Sequence, residues 1–186
     1  MKHNKPTHIG LKHEHLTRPV TYVLLALLVV FAFLFLSHGA TLAVLLLLCV
    51  NLLLESNKRL LAAVPIDIEV LYAGVALLGA VFGFLAAFAA AILGPALAEL
   101  AHLRSSREII TRTPALVLCA VIASAAPVQF LPLVLIVLLA LGLHYLLAGL
   151  VYATFGFENY LRRLSTALCA VYVLWIAIPY ASKLVA

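Results

Sequence analysis

Three side chains could take part in chemistry within this otherwise apolar sequence: Glu69, Glu99 and His144. Glu99 and His102 are three residues apart, so on a helix they would point the same way, at the spacing of helical carboxylate–histidine metal sites. Such sites need a second copy from another helix, and the sequence offers none. We therefore expect an interfacial hydrogen-bonded pair that Arg104 could join, and we expect neither a metal site nor a cofactor.

His144 lies near the middle of an apolar run over residues 133–153, where an ionisable side chain is costly unless it faces protein or a cavity. A neutral imidazole hydrogen-bonded to a neighbouring helix is the simpler interpretation, because neutral histidine costs far less in a membrane than a formal charge. A role in a binding cavity or in proton transfer is the alternative. Ala140 and Ala148, one turn away on either side, leave room beside the ring.

Asp67, the only aspartate in the chain, and Glu69 belong to the segment PIDIE, just before a long apolar run. Pro65 disfavours a helical conformation at Val64, so a helix is expected to begin after it. Asp67 then falls near the N-cap and Glu69 in the first turn, where carboxylates favourably meet the positive end of the helix dipole. Capping explains both residues without a ligand, and binding of a ligand or a partner by Glu69 is the alternative.

The composition identifies the class of protein. Apolar residues make up 66% of the chain, charged residues 10%, and the mean hydropathy is +1.20, which predicts an integral membrane protein. The apolar runs are continuous and rich in Leu and Ala, without the alternation of a membrane barrel. We predict an all-α, polytopic helical bundle in one domain, residues 19–186, after a polar, basic, histidine-rich tail over residues 1–18.

Breaks between the apolar runs predict about six membrane spans. They cover about residues 20–36, 40–54, 70–93, 114–126, 133–153 and 166–180. Gly94-Pro95 is expected to end or kink the third span, a short interfacial helix is expected over about residues 106–112, and Thr113-Pro114 should begin the fourth span.

Small residues recur every four positions along the third span. They are Gly79, Gly83, Ala87 and Ala91. Such a stripe lets helix backbones approach closely, so we expect this helix to be tightly packed. Packing alone explains the pattern, and a central position beside a shared interior is the functional alternative.

The distribution of Lys and Arg sets the expected orientation. Six spans with the tail inside put seven basic residues inside and five outside, whereas a single crossing by residues 20–54 would give nine and three. A helix of 35 residues would be about 52 Å long, however, against a hydrocarbon core of about 30 Å. Six spans are therefore the first choice, and five, with part of residues 37–54 re-entrant or protruding, is the alternative.

We accordingly expect a multi-pass protein of the cell membrane with its amino terminus in the cytoplasm. Arg104, Arg107 and Arg112 are expected to contact lipid headgroups. The net charge of +5 lies almost wholly in the tail and loops, where it would face anionic lipid rather than nucleic acid.

The phrase VPIDIEVLYAGVALLGAVFGFLAAFAAAILGP, within about residues 64–126, carries a family resemblance. It resembles the small six-helix substrate-binding subunits of energy-coupling-factor vitamin transporters, and also the similarly arranged rod-shape membrane proteins. In the transporter subunits a comparable run forms a helix of the ligand-binding bundle. The first span, VTYVLLALLVVFAFLFL, departs from that family because it lacks the alanine-every-four pattern that docks those subunits on their coupling partner.

Two functions from different classes follow from these observations. In the first, the protein is a small-molecule-binding or transport subunit with a cavity among the third, fifth and sixth spans, to which Glu69 and His144 would contribute; Glu99 is a further candidate for binding a ligand or a partner. In the second, it is a non-catalytic accessory or scaffold subunit of a larger membrane complex. The expected partners are the lipid bilayer and other membrane proteins or further copies of this chain. An enzyme ranks third, because the sequence lacks the GxSxG, HExxH and GxxxxGK[ST] motifs.

Overall fold

A computed structural model of the chain describes most of the apolar sequence. It covers residue 30 and residues 36–57, 70–102, 107–152 and 157–185. The tail, all but two residues of the predicted first span, and the segment PIDIE lie outside the described residues.

The described chain is all helical, as the composition predicts, and these residues contain no strand. Six helices follow one another: α1 (His38–Asn57), α2 (Leu71–Phe82), α3 (Phe84–His102), α4 (Arg107–Ser124), α5 (Phe130–Tyr152) and α6 (Phe157–Val185).

Local sequence signals explain where two of these helices begin. The backbone N–H of Ala40 donates to Ser37 Oγ over 3.3 Å, so Ser37 acts as the N-cap of α1. α5 begins after the non-helical residues 125–129, and Pro132 falls in its first turn, where the missing N–H costs no intrahelical hydrogen bond.

The single third helix predicted over residues 70–93 is wrong, because the chain turns at Gly83. This glycine has a φ of 85° and a ψ of −178°, and it separates α2 from α3. A methyl group added at Gly94, in the middle of α3, would lie 2.7 Å from Cδ1 of Leu71, the first residue of α2. The two helices therefore fold back on each other as a hairpin, and the predicted stripe of small residues is divided between them.

The expected helix end at Gly94-Pro95 and the expected helix start at Thr113-Pro114 are both wrong, whereas the alternative of a kink at Pro95 stays a prediction. Pro95 lies inside α3, which continues to His102, and Pro114 lies inside α4, which begins seven residues earlier at Arg107. Proline removes one intrahelical hydrogen bond, and packed helices can satisfy the freed carbonyl from neighbouring groups. The predicted separate interfacial helix over about residues 106–112 is thus the first part of α4.

Three of the described helices are long and apolar enough to cross a membrane. The stretches are His38–Glu55, Phe130–Val151 and Arg163–Val185. The other three helices contain shorter apolar stretches; α2, with 12 residues, is about 18 Å long against a hydrocarbon core of about 30 Å. The number of spans, six or five, therefore stays a prediction.

α2 lies at the centre of the bundle. It packs against all five other helices, and Leu71, Tyr72, Ala73, Val75 and Ala76 are fully buried. α1 and α6 both pack against it, and the small residues of α3 and α4 complete the core. The close packing expected for the third span is therefore found in the first arm of the hairpin, α2.

The helices run alternately between two ends of the bundle. At one end, which we call the ion-pair end, the last turn of α1 reaches the first part of α4, and the last part of α5 lies beside the beginning of α6. At the other, the hairpin end, a methyl group on Gly39 of α1 would lie 3.7 Å from Phe82, and one on Gly79 of α2 would lie 3.1 Å from Ala123 Cβ. α2, α4 and α6 thus run from the ion-pair end to the hairpin end, and α1, α3 and α5 run back.

Candidate functional site

Side chains from three helices meet near the ion-pair end in a group that we call the Tyr-His cluster: Tyr72 of α2, His144 and Tyr145 of α5, and Arg163 of α6. The ring centroids of Tyr72 and His144 are 6.0 Å apart, and those of His144 and Tyr145 are 5.2 Å apart. These separations fall within the range of favourable aromatic contacts. The cluster thus joins the central helix to the two helices on one side of it.

Arg163 of α6 is the charged member of the cluster and contacts Tyr145. Its Cζ lies 5.2 Å from the centroid of the Tyr145 ring, a cation–π arrangement. A guanidinium held over a ring keeps its donors in a planar fork, which suits carboxylate and phosphate oxygens. Because α6 begins only six residues earlier, at Phe157, the charge lies near the end of the bundle rather than in its middle.

Burial changes across the cluster. Tyr72 is fully buried, whereas His144, Tyr145 and Arg163 are half-buried. The backbone of Tyr72 is also tied to α4, because the Cys119 thiol lies 3.8 Å from its carbonyl oxygen, at weak hydrogen-bond distance. Within the cluster, the residue on α2 is buried and held by α4, whereas the residues on α5 and α6 are more accessible.

The second polar feature is a buried ion pair between α1 and α4. Arg112 Nη1 donates to Glu55 Oε1 over 3.0 Å, and the two side chains are 8% and 2% exposed. An ion pair excluded from water in this way costs desolvation of both groups and depends on the geometry of its hydrogen bonds. Asn51, one turn before Glu55 on α1, is buried as well.

This ion pair places Arg112 differently from the expectation. Among the three arginines expected at lipid headgroups, Arg112 is directed into the bundle, the side chain of Arg107 is not described, and Arg104 lies outside the described residues. The partner of Arg112 was not recognised in the sequence. A signal was available, since Glu55 continues the spacing of Val44, Leu48 and Asn51 along the buried face of α1.

Glu99 has a capping role in the structure. Its Oε1 accepts a hydrogen bond from the backbone N–H of Ile109 over 3.0 Å, and Ile109 is the third residue of α4. A carboxylate there satisfies one of the unpaired N–H groups of the first turn and meets the positive end of the helix dipole. Glu99 thus fastens the end of α3 to the start of α4, while the His102 side chain is not described.

The remaining candidate, Glu69, lies outside the described residues, as does Asp67. The described part of α2 begins at Leu71, and its N-cap position, Val70, makes no side-chain capping hydrogen bond. The predicted capping by PIDIE therefore stays a prediction.

Among the described residues, no group of three or more His, Cys, Asp or Glu side chains could hold a metal ion. The cysteines Cys49, Cys119 and Cys169 are free thiols on three different helices.

An apolar groove of about 370 Å³ opens between α1, α2 and α6 towards the hairpin end. Its floor is α2, including Gly74 and Val81, and its walls include Leu47 of α1 and Ala177 and Tyr180 of α6. The groove faces outward, on the surface that would meet lipid or another protein if these helices lie in a membrane.

The fold and the two polar features define an all-helical bundle with helices that could cross a membrane and with ionisable groups near one end. No family model, curated protein or solved structure matches the chain.

Proposed function

We propose that this protein is a multi-pass subunit of the cell membrane that binds a small molecule for transport, with the Tyr-His cluster as its binding site. The observation that carries the proposal is the meeting of Tyr72, His144, Tyr145 and Arg163 from α2, α5 and α6. These helices correspond to the third, fifth and sixth spans, among which the sequence predicts a cavity.

The residue types support a ligand that carries both a negative charge and a planar group. Arg163 supplies a guanidinium fork for carboxylate or phosphate oxygens. Tyr145 supplies a flat apolar surface, Tyr72 packs behind His144, and His144 can donate or accept a hydrogen bond depending on its tautomer. Small-molecule sites commonly combine such an apolar lining with a few polar groups that fix orientation.

The turn at Gly83 gives further support. Helices interrupted within an apolar segment recur in transporters, where irregular backbone occurs at membrane depth beside protein or a cavity. The resemblance of residues 64–126 to substrate-binding subunits of vitamin transporters is consistent with this role. The departure in the first span argues for a protein that does not dock on a coupling ATPase in the manner of that family.

The test begins with purification of the protein in its native membrane and mass spectrometry of the small molecules that accompany it. A molecule retained by the parent protein should be lost or bound about ten- to one-hundred-fold more weakly by Arg163→Ala, the change expected when a charged hydrogen-bond partner is removed. Leu139→Ala on the exposed face of α5 is the control and should keep it. Equal retention by parent, Arg163→Ala and His144→Ala would contradict the proposed site.

A non-catalytic accessory subunit of a larger membrane complex is the second candidate. The groove between α1, α2 and α6 favours it, because small residues in its lining, including Ala43, Gly74 and Ala177, would allow a partner helix to approach closely. Ala177→Leu would fill the groove. Loss of a co-purifying protein in Ala177→Leu, with small-molecule binding unchanged, would favour this candidate over the first.

A further inference from the structure

The turn at Gly83 changes which connections lie at the same end of the bundle. A single third helix would put the α1–α2 and α3–α4 connections on opposite sides of a membrane. In the hairpin, the end of α3 returns to the ion-pair end, where Glu99 bonds the first turn of α4. Residues 103–106 join α3 to α4 there, and four residues reach at most about 14 Å, too short to cross a core of about 30 Å.

Because of this arrangement, most of the Lys and Arg residues outside the tail are assigned to the ion-pair end. Arg112 and Arg163 lie at the ion-pair end by their contacts; Arg107 is the first residue of α4, and Arg162 directly precedes Arg163 in α6. Chain connectivity adds Arg104, within the short α3–α4 connection, and Lys58 and Arg59, which directly follow α1. Four described Lys and Arg residues therefore lie at the ion-pair end, and by sequence three more directly follow or connect helices that end there, which assigns seven of the twelve to this end.

The hairpin end carries Lys183 and no other basic residue among the described residues. The remaining four basic residues lie in the tail over residues 1–18. Without the tail, this assignment gives seven basic residues to one, whereas six spans with a continuous third helix would put three inside and five outside. Acidic residues also gather at the ion-pair end, but the rule that orients membrane proteins counts Lys and Arg and is little affected by Asp and Glu.

We propose that the ion-pair end faces the cytoplasm, so that the Tyr-His cluster exchanges its ligand with the cytoplasmic side. The hairpin turn, residues 125–129 and the end of α6 then lie on the outer side. The second half of this proposal rests on the proposed function, whereas the orientation does not. One crossing by the predicted first span would also return the tail to the cytoplasm, in agreement with the prediction for the amino terminus.

This orientation reverses the second half of the chain relative to the sequence-based prediction. A continuous third span would put residue 105 outside and residues 129 and 182 inside. The hairpin puts residue 105 inside, on the same side as residue 57, and puts residues 129 and 182 outside. The two arrangements therefore differ at three positions that can each be labelled.

Single cysteines at these positions test the orientation. Cys49 and Cys169 are replaced by alanine, and Cys119 is kept because it is fully buried. Into this background go Asn57→Cys, Ser105→Cys, Gln129→Cys and Ser182→Cys, each treated with a membrane-impermeant maleimide on intact and on permeabilised cells. We expect positions 129 and 182 to react in intact cells, and positions 57 and 105 to react only after permeabilisation.

Two patterns would overturn the orientation. Reaction of position 105, but not of position 57, in intact cells would restore a crossing between them and contradict the hairpin. Reaction of positions 57 and 105 in intact cells, with 129 and 182 protected, would reverse the bundle in the membrane. Neither outcome depends on any ligand, so this experiment separates the orientation from the proposed function.

Access to the cluster is tested with Arg163→Cys in the same background. An impermeant methanethiosulfonate should modify it in inside-out membrane vesicles and leave it unmodified in right-side-out vesicles. Modification from the outer side alone, or from neither side, would contradict exchange with the cytoplasm. Ligand retention is measured on the parent protein as described above, so a cluster that is open to the cytoplasm but binds nothing would count against the proposed function and not against the orientation.

Discussion

At the scale of single residues, the Glu55–Arg112 ion pair is the contact whose loss should be felt most. Its two side chains are 57 residues apart in the sequence and nearly excluded from water. Removal of one partner leaves the other charge buried without its counter-ion, whereas replacement of both by apolar residues removes the desolvation cost as well. Single and double variants therefore separate the attraction between the two charges from the free energy needed to desolvate them.

Arg112→Met should lower the free energy of unfolding by about 3 to 5 kcal/mol, the usual cost of breaking a buried pair. The double variant Glu55→Leu/Arg112→Met should recover most of that loss. Lys183→Met, which removes an exposed cation at the end of α6, is the control and should change stability little. Denaturant titration of the purified protein in detergent measures all three, and equal stability of the single and double variants would show that the two side chains are not coupled.

At the scale of helices, the turn at Gly83 depends on a backbone conformation open to few residues other than glycine. With φ at 85° and ψ near 180°, any L-residue is strained, although a methyl group there would have no neighbour within 4 Å. Gly83→Ala should therefore cost about 1 to 3 kcal/mol through backbone strain alone.

Gly142 provides a matched control for that prediction. It lies inside α5, and a methyl group there would also have no neighbour within 4 Å. Because its backbone is helical, Gly142→Ala should leave stability unchanged or raise it by about 0.5 to 1 kcal/mol. Thermal unfolding in one detergent compares the two variants, and similar midpoints for both would argue against the strained turn.

Two glycines of α2 pack closely against neighbouring helices, Gly79 against α4 and Gly74 against α1. A methyl group at Gly79 would lie 3.1 Å from Ala123 Cβ and 3.2 Å from the backbone nitrogen of Ser124, which cannot rotate away. At Gly74 the nearest atoms are the side-chain tip of Leu47, which can move. Gly79→Ala should thus lower the free energy of unfolding by about 1 to 3 kcal/mol, and Gly74→Ala should lower it by less. Adding Leu47→Ala should restore the stability lost in Gly74→Ala but not the stability lost in Gly79→Ala. The same unfolding assay measures both double variants.

Much of the helix pattern could be predicted from the sequence, because α1, α5 and α6 follow long apolar runs. The hairpin could not, since a glycine within small residues spaced four apart fits a packing stripe and a turn equally well, and only its φ decides between them. Pro95 and Pro114 likewise lie inside helices although proline is typical of helix boundaries, because their tolerance depends on neighbouring helices that the sequence does not show.

The candidate site was predictable only in part, because some of its residues give a local signal in the sequence and others are brought together by tertiary packing. His144 is the one histidine in its apolar run, which contains no Asp, Glu, Lys or Arg, and the structure brings it beside Tyr72 and Tyr145. Tyr72 gives no local signal within an apolar helix. The partners Glu55 and Arg112 are brought together by the tertiary packing of α1 and α4, which residue spacing alone does not reveal.

For the molecule as a whole, the outer faces carry large apolar side chains that a protein in water would not expose in such number. They include Leu131, Leu135 and Leu150 of α5, and Leu168 and Trp175 of α6, each more than half exposed. An apolar surface of this extent fits a bilayer, and it predicts that lipid chains, not water, surround the bundle.

Trp175 makes that prediction measurable, because it is the only tryptophan in the chain and is 63% exposed on α6. In vesicles of lipids brominated along their acyl chains, its fluorescence should be strongly quenched, while acrylamide in the aqueous phase should quench it weakly. The control is Leu168→Trp/Trp175→Phe, which moves the indole two turns along the same helix towards the ion-pair end and should remain lipid-quenched. Strong acrylamide quenching of both proteins would place this face of α6 in water. Protection from both quenchers would show that another protein covers it, as expected for an accessory subunit in its complex.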